Sequence, residues 1–214
     1  MDYLDKKVCV IDYGSGNVRS VYNIFLSILG EVKISNEPED IEEATHIVLP
    51  GVGAYGAAMK KIKALSSFKV IEDNVLVKKK PFLGICVGMQ VLSDKGYEHG
   101  LNNGLGWIRG EVKKLDTGGL YLPHVGWNNF TRRDESSPLL AGITPDMDFY
   151  FVHSYYFDEK DKTSSIASAE YGMEFTSAVN RENIYGVQFH PEKSQKTGRR
   201  ILENFLRLGP ARGM

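Results

Sequence analysis

The sequence predicts an α/β fold: a three-layer open sheet with a mostly parallel core, antiparallel additions and helices on both faces. Two observations support this. In the first half of the 214-residue chain, short apolar runs alternate with amphipathic helical segments, which is typical of parallel strands joined by crossover helices. In the second half, short β-like runs follow one another between turn residues, which indicates antiparallel strands. We expect a single domain over residues 1–214, with its core at about 7–208.

The elements of the first half follow from apolar spacing and stop signals. The clearest is a helix at residues 17–29, whose apolar side chains recur every three or four positions before Gly30 ends it. The other predicted helices cover residues 55–65, 68–77 and 87–92. The predicted strands are short buried runs at residues 7–12, 31–34, 45–49 and 81–85.

The second half is read from alternation and turn residues. The predicted strands cover residues 110–115, 148–153, 165–170, 175–179 and 184–189. A final amphipathic helix is expected at residues 197–208, because Ile201, Leu202, Phe205 and Leu206 recur at helical spacing.

Composition excludes several classes of function. The formal net charge is −1, so no overall basic field attracts nucleic acid or an anionic membrane. No apolar run approaches the ~20 residues of a membrane span. The two cysteines, Cys9 and Cys86, show no metal-ligand spacing and are typical of a reduced, cytoplasmic protein. We expect neither a metal nor an organic cofactor.

A cysteine stands where a predicted strand turns into a helix. Residues 84–88 read Gly-Ile-Cys-Val-Gly, so Cys86 has a glycine two positions away on each side. Small residues at these positions permit a sharp turn that exposes the side chain, as in a nucleophile elbow. A helix N-terminus favours a thiolate, and the N–H of Val87 would face an oxyanion formed next to it.

A histidine and a glutamate far along the chain complete the pattern. Residues 186–193 read Gly-Val-Gln-Phe-His-Pro-Glu-Lys, and alternation along an extended chain puts His190 and Glu192 on the same side. Nucleophile, base and orienting carboxylate are the minimum set for covalent acyl chemistry. Cys86, His190 and Glu192 are therefore predicted to form a catalytic triad.

Together, residues 84–90 and 189–192 closely resemble the class I (triad) glutamine amidotransferases, and the resemblance runs from about residue 7 to 208. It implies the flavodoxin-like open sheet of that family. It also implies that Cys86 attacks the side-chain amide of glutamine, giving a glutamyl thioester and ammonia, and that water then releases glutamate.

The resemblance implies further site residues. The loop 50–53 would complete the oxyanion hole with the N–H of Val52, opposite that of Val87. Gly53, Gln90 and Glu98 would hold the substrate glutamine. Residues 93–97 depart from the acidic stretch expected beside Glu98.

Residues 123–128, 150–156 and 188–195 resemble the branch of the family that serves histidine biosynthesis. This implies a heterodimer with a (β/α)₈-barrel cyclase, which uses the ammonia to make imidazole glycerol phosphate and an aminoimidazole carboxamide ribotide. Asn17, Trp127 and Lys193 would lie at that interface. The glycines of loop 50–53 suggest that a nucleotide bound to the cyclase gates the site by rotating a peptide.

Other interpretations remain open at this point. One is a paralogue that supplies ammonia for amination of a surface-polysaccharide sugar. Another is a glutaminase subunit of a different synthase, and a third is a cysteine protease of related fold. A binding module without activity would be expected to have lost part of the triad.

Overall fold

The computed structural model describes residues 5–210, in which one long mixed sheet carries helices on its faces and a two-stranded sheet stands beside it. The strands in chain order are β1 Val8–Ile11, β2 Val32–Ser35, β3 His46–Gly51, β4 Phe82–Cys86, β5 Lys95–Gly96, β6 Asn102–Asn103, β7 Gly110–Lys114, β8 His124–Asn128, β9 Thr131–Arg132, β10 Phe149–His153, β11 Tyr155–Glu159, β12 Ser165–Tyr171, β13 Met173–Arg181 and β14 Ile184–Val187.

The parallel core has the order β2-β1-β3-β4-β14. Strands β1, β3, β4 and β14 are short and almost wholly apolar, as expected when helices cover both faces of a parallel sheet. The central strand β4 pairs in parallel with β3 on one side and β14 on the other. The carboxyl ends of these three strands therefore meet at one edge, which is where ligands bind in open α/β sheets.

Beyond β14 the sheet continues as β13-β11-β7-β5-β6, with antiparallel pairing from β14 through β7. The hairpin β12–β13 branches from this path, and β9 adds to its outer edge. The separate ribbon β8–β10 pairs antiparallel, with Val152 opposite Val125. β10 then leads through Ser154 into β11, which connects the ribbon to the long sheet.

The helices are α1 Val18–Leu29, α2 Pro38–Glu43, α3 Tyr55–Lys63, α4 Phe68–Glu72, α5 Val87–Gln90 and α6 Gln195–Leu206. The first and last are amphipathic, and each buries one apolar face against the sheet. Phe25 of α1 and Phe205 of α6 meet edge to face at 6.4 Å on that side of the core. None of the helices within residues 5–210 is long and apolar enough to cross a membrane.

The predicted fold class is confirmed, and the differences are local. The predicted helix at residues 68–77 divides into α4 and a π-helical turn, Asp73–Val77. Helix α2 was not predicted, since Ile41 is its only buried residue and leaves no apolar stripe. Strands β5, β6, β8, β9 and β11 were also not predicted. Of the expected domain 1–214, residues 1–4 and 211–214 lie outside the described part, and the expectation of one domain stays a prediction.

Candidate active site

Cys86 is the last residue of the central strand β4 and immediately precedes α5, with φ 54° and ψ −110°. A non-glycine residue at positive φ is strained, and such strain concentrates at functional sites. The helix that follows has only four residues, so any contribution of its dipole comes from a single turn. The thiol is buried and sits at the edge where β3, β4 and β14 end.

Two glycines permit this turn for a steric reason. A Cβ on Gly84 would lie 2.4 Å from the carbonyl oxygen of Gly88, and a Cβ on Gly88 would lie 1.9 Å from the carbonyl oxygen of Leu49. No side chain fits at either distance. Helix α5 thus lies directly against the backbone of β3, which brings the loop after β3 beside Cys86.

His190 and Glu192 lie just past the end of β14. His190 Nδ1 is 2.8 Å from Glu192 Oε1, and both side chains are almost completely buried. Pro191 begins a short 3₁₀ turn, Pro191–Lys193, which folds the carboxylate back onto the imidazole. The same Glu192 oxygen accepts a hydrogen bond from Asn17 Nδ2 at 3.1 Å.

The environment of His190 favours its protonated form. Burial alone would lower the pKa of this imidazole, but the neighbouring Cys86 and Glu192 together outweigh that and raise the pKa to about 10. Its other ring nitrogen, Nε2, has no protein hydrogen-bond partner among the described residues. Cys86 nevertheless lines the same cavity as His190 and lies close enough to raise the pKa of the ring, so the structure brings all three predicted triad residues together.

The loop after β3 does not point the N–H of Val52 into the site. That N–H donates instead to Ser15 Oγ, 3.2 Å away, and the Val52 side chain is exposed. Gly53 follows at φ 95°, a left-handed conformation that suits glycine. Val87 stands in the first turn of α5, where backbone N–H groups have no partner within the helix. The predicted pair of oxyanion donors is therefore not assembled in this conformation.

The predicted substrate residues surround one open cavity of about 570 Å³ beside Cys86. Gly53, Gln90 and Glu98 all line it, together with His190 and Lys193. Such a volume suits a small ligand. The cavity is also lined by Val52, Ala54, Cys86, Val87, His99, Pro123, Val152, His153, Ser154 and Tyr155.

Two of these predicted residues already have protein partners. Glu98 Oε2 accepts the N–H of Tyr55 at 2.8 Å. Gln90 is buried, and its Nε2 donates to the carbonyl oxygen of Tyr155 and to Gln188 Oε1, each at 2.9 Å. Both N–H groups of the Gln90 amide are thereby used, so it can offer a substrate only its oxygen.

The predicted interface residues differ in exposure. Trp127 is 48% exposed, on the ribbon β8–β10. Lys193 is also exposed, and its Nζ lies 5.5 Å from the centre of the Tyr150 ring. Asn17 is 5% exposed, and its amide contacts Glu192 and Ser15, so its observed contacts are inside the chain. Its interface role stays a prediction.

Sequence reasoning did not assign roles to Ser15 and Gln188. Gln188 Nε2 lies 3.6 Å from Cys86 Sγ. Its position was accessible from sequence, because it precedes His190 by two residues on an extended chain and so shares its side. Ser15 had no such signal, since its contact with Val52 depends on how two loops meet.

His153, one of two paired buried histidines, lines the cavity. His153 Nε2 lies 3.1 Å from His124 Nδ1, and His153 Nδ1 lies 2.9 Å from the carbonyl oxygen of Tyr155. Burial lowers the pKa of His153 to about 3 and that of His124 to about 4, so both rings are neutral. Across residues 5–210, no cluster of three His, Cys, Asp or Glu side chains is arranged to hold a metal ion.

Comparisons with known proteins agree with this geometry. Residues 9–208 match the profile of the family described as glutamine amidotransferase class-I. The chain is 42% identical to the imidazole glycerol phosphate synthase subunit HisH of Rhodospirillum rubrum, across 95% of this chain and 100% of that protein. It is 45% identical to the subunit HisH 1 of the same synthase from Campylobacter jejuni, across 94% of this chain and 100% of that protein.

Fold similarity extends to more distant proteins. The solved structure of PurLQS from Thermotoga maritima aligns with a TM-score of 0.71 at 18% identity, covering 94% of this chain and 98% of that chain. At this identity the similarity concerns the fold alone. The family match and the two full-length relatives show that this chain belongs to the class I glutamine amidotransferase family.

Proposed function

We propose that this chain hydrolyses glutamine to glutamate and ammonia through Cys86, His190 and Glu192, as the glutaminase subunit of imidazole glycerol phosphate synthase. The observation that carries the proposal is the position of His190. Its Nδ1 is hydrogen-bonded to Glu192 at 2.8 Å, and Cys86 contributes to the raised pKa of its ring. Cys86 and His190 follow two adjacent parallel strands, β4 and β14, and both line one open cavity.

The first half-reaction follows from this arrangement. The Cys86 thiolate attacks the side-chain carbonyl carbon of glutamine, and the carbonyl oxygen takes up the negative charge. When the tetrahedral intermediate collapses, the C–N bond breaks and His190 gives its proton to the leaving nitrogen, which departs as ammonia. The raised pKa of His190 is consistent with an imidazolium that carries this proton at neutral pH, before the C–N bond breaks.

The second half-reaction releases glutamate. A water molecule attacks the glutamyl thioester while His190, now neutral, takes its proton, and the C–S bond breaks to regenerate the thiolate. Glu192 holds the ring through Nδ1, so that Nε2 faces the reacting atoms in both steps.

The oxyanion requires donors that the observed conformation holds apart. The N–H of Val87 is one candidate, and the N–H of Val52 is the other once its peptide turns away from Ser15. We propose that a nucleotide bound to the partner favours this turn. Gating of this kind would keep a lone subunit from wasting glutamine, and one missing donor costs about 10²–10³ in rate.

The choice of acceptor rests on the curated relatives, which are named as subunits of imidazole glycerol phosphate synthase and are matched over their full length. We propose accordingly that ammonia passes to a (β/α)₈-barrel cyclase in the cytoplasm, with Trp127, Lys193 and Asn17 near the docking face. We also propose that residues 1–214 form one amidotransferase domain.

The test is ammonia release from glutamine by the purified chain, alone and with the cyclase plus a nucleotide ligand. Low activity alone and strong stimulation in the complex are expected. An active chain that the cyclase does not stimulate would redirect the assignment to a paralogue with another acceptor, such as a polysaccharide sugar. A chain that releases no ammonia under either condition would overturn the glutaminase itself.

A further inference from the structure

A buried side-chain amide lies next to the sulfur of the proposed nucleophile. Gln188 is fully buried, and its Nε2 is 3.6 Å from Cys86 Sγ, which is hydrogen-bond distance for sulfur. The backbone N–H of Gln188 donates to the carbonyl oxygen of Ser177, which ties this residue into the pairing of the sheet. The contact therefore joins two parts of the rigid core.

The chain of contacts behind Gln188 decides which end of its amide faces the sulfur. It begins at the backbone carbonyl oxygen of Tyr155, which can only accept a hydrogen bond, so the NH₂ group of Gln90 must face it. The second N–H of that NH₂ group donates to Gln188 Oε1. The oxygen of Gln188 is thereby occupied, and its own NH₂ group is directed at Cys86.

A donor at this place distinguishes the two forms of the sulfur. A thiolate accepts an N–H strongly because charge-assisted hydrogen bonds are stronger than neutral ones, whereas a neutral thiol accepts weakly. We propose that Gln188 is a positioning residue that holds Cys86 in its negatively charged, nucleophilic form, and that Gln90 and the carbonyl of Tyr155 fix its orientation. This inference rests on the proposed role of Cys86 as nucleophile.

Three other neighbours of the sulfur do not replace this donor. The buried phenol of Tyr13 is near enough to interact electrostatically with Cys86 but makes no hydrogen bond to it. On another side, the carbonyl oxygen of Val152 lies 4.0 Å from Sγ and can only accept, which favours the thiol. His190 compensates a thiolate by its charge, but it must give up its proton during each turnover. Gln188 offers a neutral donor that does not change its protonation state during the cycle.

The test is alkylation of Cys86 by iodoacetamide in the full chain, followed by mass spectrometry as a function of pH. In the variant Gln188→Met, which keeps the length of the side chain but lacks the donor, the midpoint of the pH profile should rise by about one pH unit. At any pH below both midpoints, the alkylation rate of Cys86 should then be about tenfold lower in the variant than in the wild type. Gln188→Leu should act in the same direction if the methionine variant does not fold.

The chain carries an internal control for structural damage. Cys9 is buried in β1, and burial raises its pKa to about 12, so it should react only when the core opens. A matched variant is Asn204→Leu, which removes another buried amide, one that donates to the carbonyl oxygens of Leu139 and Ala141. It should increase the labelling of Cys9 and leave the midpoint for Cys86 unchanged.

The outcomes separate this inference from the function on which it rests. An unchanged Cys86 midpoint in the Gln188 variants, with Cys9 still protected, would overturn the inference while the wild-type glutaminase stands. A shifted midpoint with Cys9 protected supports it. Failure of the wild-type complex to release ammonia would instead remove the proposed function, whatever the alkylation profile shows.

Discussion

The backbone N–H of Val52 donates to the hydroxyl oxygen of Ser15 at 3.2 Å. The same hydroxyl donates to Asn17 Oδ1 at 2.9 Å, and Asn17 Nδ2 donates to the carboxylate of Glu192. A continuous series of hydrogen bonds thus connects the loop after β3 to the carboxylate that orients His190. Ser15 thus holds the N–H of Val52 away from the reacting atoms and is itself linked to the triad through Asn17.

Replacing Ser15 with alanine should increase the glutaminase activity of the chain without its partner. The substitution removes the acceptor that holds the Val52 N–H, and one hydrogen bond contributes about 0.5–1.5 kcal/mol. A shift of that size in the loop equilibrium corresponds to an increase of about 2- to 10-fold. The measurement is the rate of ammonia release at saturating glutamine.

Ser15→Thr is the matched control, because it keeps an oxygen at the same position and should stay near the wild-type rate. If alanine and threonine gave the same unstimulated rate as serine, the Ser15 contact would have no part in gating.

Replacing Glu192 with glutamine should lower glutamine turnover in the complex by about 10²- to 10⁴-fold. The amide keeps the size of the side chain but removes a buried charge that helps to raise the pKa of His190. The imidazolium that protonates ammonia would then be less favoured. A decrease of only a few fold in kcat would contradict the role of Glu192, and unchanged cyclase activity with ammonium salt would show that the complex is intact.

Replacing Gly88 with alanine should destabilise the chain by about 3 kcal/mol or more. The new Cβ would lie 1.9 Å from the carbonyl oxygen of Leu49, and the backbone on both sides is part of the core. Gly30→Ala is the control: its Cβ meets nothing, and only the left-handed backbone at φ 80° costs about 1–2 kcal/mol. Urea denaturation compares the two, and equal losses would argue against the close contact.

Buried histidines should make the protein less stable in mild acid. Burial lowers the pKa of His46 to about 4, and its ring contacts Thr45 and the carbonyl oxygen of Leu208. Between pH 6.5 and about 4 the unfolded chain therefore binds a proton that the folded chain does not. The free energy of unfolding should fall with decreasing pH by about 1.4 kcal/mol per unit for this residue.

His46→Asn should reduce that slope, measured by denaturation between pH 5 and 6. His46 begins β3, and Cys86 pairs with the other end of that strand. The substitution should therefore change the pH dependence of stability without changing the reaction at Cys86. A variant with the same slope as the wild type would show that His46 is already protonated in the folded chain or titrates normally.

Much of the fold could be predicted because its strands obey simple patterns. Strands β1, β3 and β4 of the first half are almost continuous apolar runs, and Gly30 ends α1 where a stop signal was expected, at φ 80°. Two of the strands that were not predicted, β8 and β11, mix buried residues with partly exposed or exposed ones, without a clear apolar run. They form strands because they pair with β10 and β7, and the local sequence pattern does not reveal this tertiary contact.

In the site, too, some residues could be predicted from sequence and some contacts could not. Cys86, His190 and Glu192 could be named from sequence because each lies at a strand end with diagnostic neighbours. The direction of the Val52 N–H could not be, since it depends on a single hydrogen bond to Ser15, 37 positions away. Likewise, the environment of Asn17 is decided by the packing of its loop against the turn that carries Glu192.

The most direct test of the central claim is the variant Cys86→Ala in complex with the cyclase. Synthesis of imidazole glycerol phosphate is measured first with glutamine and then with an ammonium salt as the nitrogen source. We expect the glutamine-dependent rate to disappear and the ammonium-dependent rate to stay at the wild-type level. Glutamine-dependent synthesis that survived the loss of the thiol would contradict the assignment of Cys86 as the nucleophile.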